Sequence, residues 1–193
     1  LVRDRERPPE LSDVHRFQAE WEKSASLALR QGNQDVLDTY ADRGRVHEGS
    51  RDAMLEALYK AWKADTQAGL VSLMIATTGH DVTDLNRRAQ AGLIQTGDVQ
   101  PGTTLLHDSC TVGVGDLVVT RENDRRLVTG RSWVKNGDRW RVTATHPDGA
   151  LTVRRLTKKN IPYGKPVRLP VGYVAESVEL GYATTVHRAQ GLT

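Results

Sequence analysis

One stretch constrains the fold of this chain more than any other. LVSLMIA, residues 70–76, is a continuous apolar run; the polar turn TTGHD follows, and then DVTDLNRRAQAGLIQTG. An apolar run of strand length without polar alternation suits a strand buried on both faces, as in a parallel sheet. Beyond the turn, Val82, Leu85 and Ala89 recur at helical spacing. Strand, polar turn and helix form the building unit of open α/β sheets, whose ligands bind at the C-terminal ends of the strands. Thr77 and Thr78 stand at such an end. They are candidates for holding a ligand's backbone, and Thr78 is equally suited to capping the helix.

Upstream, glycines punctuate three amphipathic segments. Ser12 can cap a helix with Val14, Phe17, Trp21 and Ala25 on its apolar side and Gly32 at its end. Asn33 can open a short second helix carrying Leu37 and Tyr40, closed by Gly44. Ser50 opens a third, with Leu55, Leu58, Tyr59 and Trp62 on one side and Gly69 after it. From 112 to 175 the texture turns to β. GDLVVTREN, RSWVKNGDRWRVTATHPDGALTVRRL and KPVRLPVGYV hold β-branched runs separated by NGD and PDG turns, which predicts a small antiparallel barrel. VELGYATTV then resumes as an apolar strand leading to a helix start. The expected organisation is an α/β domain over 1–111, an inserted β-barrel over 112–175, and a return to the α/β sheet over 176–193.

The barrel segment is also where positive charge collects. Residues 1–120 carry 13 Lys/Arg against 18 Asp/Glu, whereas 121–168 carry 13 against 4. A local excess of +9 in a chain of net charge +3 points to a polyanion partner or to a solvated basic face. Arg139, Arg141, Arg154, Arg155, Lys158 and Lys159 could track a nucleic-acid backbone, with Trp133 or Trp140 stacking on bases. Alternation in RWRVTA turns Trp140 and Val142 to one side and Arg139 and Arg141 to the other, which favours Trp140 inside and the arginines out.

Several classes fall away. Cys110 stands alone, and the six histidines are scattered without metal-ligand spacing, so neither a disulfide nor a metal site is expected. No apolar run approaches the roughly 18 residues of a membrane span, and LVRDRERPPE lacks a signal-peptide core. The expected location is therefore cytoplasmic, away from membranes.

The closing stretch carries the most specific signal. YATTVHRAQGLT, with Tyr182, Ala183, Thr185, Val186, His187, Arg188, Ala189, Gln190, Gly191 and Thr193, resembles the fifth motif of superfamily 1 DNA helicases of the RecD type. It is similar above all to the helicase part of conjugative relaxases related to TraI, TrwC and TraA. Three further blocks resemble the family in order: LSDVHRFQAEWEKSASLALRQG with Arg16, SLMIATTGHDVTDLNRRAQA with Asp81, Val82, Leu85 and Asn86, and GDLVVTREND with WVKNGDRWRV. The resemblance implies most of a second RecA-like domain with a parallel sheet, interrupted by an SH3-like barrel.

That resemblance also assigns roles. Arg16 would reach the γ-phosphate of ATP across a cleft between two RecA-like domains, although by spacing alone it is a partner for Glu20. Gln190 and Gly191 would face the same cleft. Thr184, Thr185, His187 and Arg188 would hold single-stranded DNA, with Thr77 and Thr78 beside them and Arg154 and Arg155 contributing from the barrel. Asn86 reads as structural. No G-x-x-x-x-G-K-[ST] occurs, since Gly164-Lys165 is followed by Pro166. ATP and magnesium would thus belong to the full-length parent, and its first RecA-like domain would be the partner missing here. The chain alone is expected neither to bind them nor to hydrolyse ATP. Its stop at Thr193, ahead of a sixth motif, implies a segment of a longer protein. A RecD-type repair helicase and a non-catalytic nucleic-acid-binding or docking domain are the alternatives.

Overall fold

In the computed structural model, which describes residues 17–189, the chain falls into two compact units, 17–50 and 51–189. The first holds α1 (Glu20–Arg30) and α2 (Val36–Asp42). Trp21 meets Tyr40 edge-on at 5.5 Å between ring centroids, and the Arg43 guanidinium covers Trp21 at 4.5 Å. The helix expected from Ser12 begins later within the described residues. Positions 17–19 are not helical, and Ala19 at the N-cap offers no side-chain acceptor. Ser12, like Arg16, lies outside the described residues.

The second unit opens with α3 (Arg51–Gln67), whose Leu55 and Trp62 are buried. β1 (Met74–Ala76) and α4 (Gly79–Thr96) follow, realising the strand, turn and helix read from the sequence. Thr78 caps α4 by accepting from the Asp81 backbone N–H at 3.1 Å. Gly97 ends the helix in the left-handed conformation, at φ 82°, which glycine adopts without steric cost. Val82, Leu85 and Ala89 face inward as expected.

The strand is shorter than its apolar run. Residues 70–73 are not in the sheet, and Leu70, Val71 and Ile75 are exposed. The reason lies in the partner, since among the described residues β1 pairs in parallel only with β11 (Ala183–Thr185), itself three residues long. Met74 and Ala76 turn inward and Ile75, between them, turns out.

Between these parallel strands the chain builds an antiparallel sheet. After the ribbon of β2 (Thr104–Leu105) and β3 (Thr111–Val112) come β4 (Leu117–Thr120), β5 (Asp124–Thr129) and β6 (Ser132–Val134). β7 (Arg139–Thr145), β8 (Leu151–Leu156) and β9 (Pro162–Leu169) follow, then α5 (Val171–Ser177) and β10 (Val178–Leu180). The order is β10-β4-β7-β8-β9, with β5 and β6 paired separately. The NGD and PDG turns fall between β6 and β7 and between β7 and β8. VGYV, read as strand, is instead the start of α5. Pro170, which has no N–H for a ladder, ends β9 and takes the N-cap. VEL and ATT, read as one resuming strand, belong to two different sheets.

Trp140, Leu151, Leu169, Leu180, Met74 and Leu85 are fully buried in one apolar cluster that spans both sheets. Trp140 lies inside, as alternation implied, and its indole N–H donates to the Thr120 hydroxyl at 3.2 Å. The arginines around it are only partly outside. Arg141 donates to the Gly115 carbonyl at 2.8 Å, and Arg155 lies over the Trp140 ring at 4.9 Å while pairing with Asp138 at 2.7 Å.

Candidate nucleic-acid interface

The parallel pairing brings two ends of the sequence reading together. Ala76 lies opposite Thr185 and Ile75 opposite Thr184, so both strands end on one edge. Thr77 and Thr78 continue from the first strand, and α6 (Val186–Ala189) continues from the second. Thr77 is exposed, whereas the Thr78 hydroxyl is used as a cap. The Asp81 carboxyl, held below the usual carboxylate range by the Thr78 hydroxyl and by Arg51, ties this turn to the start of α3.

On the other strand Thr184 is buried and Thr185 half-buried. The Thr185 hydroxyl accepts from the Arg188 N–H at 3.4 Å, which fixes the turn into α6. The His187 side chain is exposed and bonds to no described residue. Arg188 reaches back to the Glu179 carboxylate at 2.7 Å, and Arg121 meets the same oxygen at 2.7 Å. Gln190 and Gly191 lie outside the described residues. Arg154 donates to the Gly164 carbonyl at 3.1 Å, and Arg155, tied to Asp138 and the Trp133 carbonyl, is occupied within the fold.

Two buried polar centres hold this edge in place. Asn86 on α4 donates to the Leu180 carbonyl at 3.3 Å and accepts from the Tyr182 and Ala183 N–H groups at 3.0 and 2.8 Å. Asn86 is therefore structural, as read. Asp116, fully buried, accepts from the Tyr182 hydroxyl at 2.6 Å, from Gln90 at 2.6 Å and from the Gly113 N–H at 2.8 Å. Burial pushes its carboxyl above the ordinary range, and burial next to Asp116 pushes the Tyr182 phenol well above 10. Sequence reasoning missed Asp116, Glu179 and Arg121 as organising residues. Only the G-D pair before LVVT marked one of them.

Among the described residues no group of three or more His, Cys, Asp or Glu could hold a metal ion, and no helix is long and apolar enough to cross a membrane. The chain contains no phosphate-cradling glycine loop ahead of a Lys-Ser or Lys-Thr pair.

A family described as AAA domain matches residues 1–51. A probable conjugal transfer protein TraA of Sinorhizobium fredii is 28% identical over 100% of this chain, which spans 17% of that relative's length. The conjugal transfer protein TraA of Agrobacterium fabrum is 28% identical over 95% of the chain and 16% of its own length. Among solved structures, two coordinating Pif1 helicases at forked double-stranded DNA give 18% identity and a TM-score of 0.49, covering 94% of this chain and 40% of that one. Unliganded Pif1 from Bacteroides gives 22% and 0.36, covering 63% and 43%. These superpositions are loose, and the mixed α/β assignment rests on the parallel pair, its crossover helix and the antiparallel sheet. Across its whole length the chain is similar to conjugal transfer proteins of the TraA type, the group that its closing motif resembles.

Proposed function

We propose that this chain is a segment of an ATP-dependent superfamily 1 DNA helicase or translocase of the conjugative-relaxase type, and that it supplies contacts to single-stranded DNA. The observation that carries the reading is the Ala76–Thr185 pairing, which gathers Thr77, Thr185, His187 and Arg188 on one edge. Hydroxyls, an unengaged imidazole and a guanidinium are suited to phosphate oxygens, and they fix the path of a strand without reading its sequence. Full-length similarity to TraA proteins favours conjugation over a repair helicase.

Arg16, Gln190 and Gly191 belong, by resemblance, to the nucleotide side. ATP and magnesium would be held chiefly by another RecA-like domain of the same polypeptide. A phosphate-release assay on this chain alone is expected to give no turnover, and turnover abolished by a substitution in the chain would overturn the division of labour. The DNA reading is tested by anisotropy of a labelled oligothymidylate. Affinity should fall steeply with salt, by a log–log slope of about −0.7 per phosphate neutralised. His187→Ala should weaken binding about three- to tenfold, the scale of one ordinary hydrogen bond lost, about 0.5–1.5 kcal/mol. An oligonucleotide that ignores the wild-type chain at low salt would sink the reading.

A further inference from the structure

The sheet register sets three side chains in a row on one face. Glu179 of β10 lies opposite Val119 of β4, and Val119 lies opposite Arg139 of β7. Directly paired residues point the same way, so Glu179 and Arg139 flank Val119 two strand spacings apart, about 10 Å. A shallow cleft opens on this face, lined by Val119, Arg121, Arg139, Thr184 and Arg188. It joins the antiparallel sheet to the end of the second parallel strand.

The charges in the cleft do not balance. Glu179 answers Arg121 and Arg188 through a single oxygen. Arg139 is half-buried, yet among the described residues its guanidinium makes no hydrogen bond and no ion pair. Its electrostatic neighbour is Arg141, and burial beside that second guanidinium holds Arg139 below its usual value. A half-buried guanidinium with no protein acceptor gains from an anion that reaches it through the opening. Three arginines against one carboxylate leave two positive charges facing one opening. A planar fork of donors among them matches the oxygens of a phosphate group.

We propose that this cleft is a phosphate site in which Arg139 is the principal ligand and Arg121 and Arg188, held in place by Glu179, flank it. Its occupant is a phosphate group, either in a nucleic-acid backbone or as free phosphate. In the first case the strand held at Thr185 and His187 runs on over the antiparallel sheet. Glu179 then acts as a positioning residue, fixing two guanidinium groups that would otherwise repel each other and Arg139.

Two measurements separate the sources. The first rests on the DNA reading above and the second does not. In the anisotropy titration, Arg139→Gln should weaken oligothymidylate binding about five- to tenfold and make the salt slope shallower by about 0.7. Arg139→Lys should restore the slope with part of the affinity. Arg126→Gln, which removes a well-exposed arginine elsewhere, should change affinity less than twofold. In the second measurement, inorganic phosphate is compared with chloride at equal ionic strength. Phosphate should raise the melting temperature of the wild-type chain and leave that of Arg139→Gln unmoved. A response in the second arm alone identifies free phosphate as the occupant. If Arg139→Gln alters neither arm, the site is overturned, even where the wild-type chain binds DNA.

Discussion

Asp116→Ala is expected to remove about 3–5 kcal/mol from the stability of the 51–189 unit, read as a lowered urea midpoint by circular dichroism. Three donors converge on this carboxylate: the Tyr182 hydroxyl, the Gln90 amide and the Gly113 N–H. Each would be left inside the protein without an acceptor, at roughly 1–3 kcal/mol apiece, with some relief as the site relaxes. The loss is large against a total of about 5–15 kcal/mol for a domain. It should also reach the candidate interface, because Tyr182 immediately precedes β11. D116N, which keeps the shape and one acceptor oxygen, should fall between. A midpoint for Asp116→Ala within error of the wild type would mean that the three donors find other partners, and that the network does not organise the edge.

Trp140→Ala should cost a similar amount, about 3–5 kcal/mol, but through packing. The side chain is fully buried, its N–H is bonded to Thr120, and Arg155 lies across its face. Truncation opens a cavity at the centre of β4, β7 and β8 and leaves Arg155 without its platform. W140F keeps most of the ring volume and loses the hydrogen bond, for about 1 kcal/mol. The pair of variants separates the two contributions. If Trp140→Ala cost no more than W140F, the ring would be peripheral, and the stacking role considered for it on the sequence would reopen.

The contrast between what could and could not be read ahead of the structure follows sequence distance. The cap at Thr78, the inward stripe on α4 and the stop at Gly97 are local, and composition and spacing reveal them. Trp140 is legible because alternation is a property of one strand. Asp116 and Glu179 are not, since Tyr182 and Arg121, which explain them, lie 66 and 58 positions away in the chain. The apolar run at 70–76 overstated its strand because a strand is only as long as its partner, and that partner is remote in sequence. The α5 segment was missed because VGYV carries strand-like residues while Pro170, just before it, suits both the end of a strand and the start of a helix. Resemblance alone pointed to Thr185 and His187. The unpaired state of Arg139 appears only once β4 and β7 are laid side by side.

The joint between β10 and β11 is two residues long, Gly181 and Tyr182, and it allows no slack. The Gly181 N–H donates to the Leu117 carbonyl at 2.9 Å, and a methyl group on its Cα would come within 2.1 Å of the Leu117 side chain. Tyr182 is anchored by its hydroxyl below and by Asn86 at its backbone. A pull on α6 is therefore delivered within a few residues to β10, at the edge of a five-stranded sheet. On the entry side, some twenty residues of turn and ribbon separate α4 from the same sheet. The chain enters the sheet through a long ribbon stitched along its length and leaves it through a two-residue joint, so mechanical load applied at the closing motif reaches the sheet edge by the shorter path.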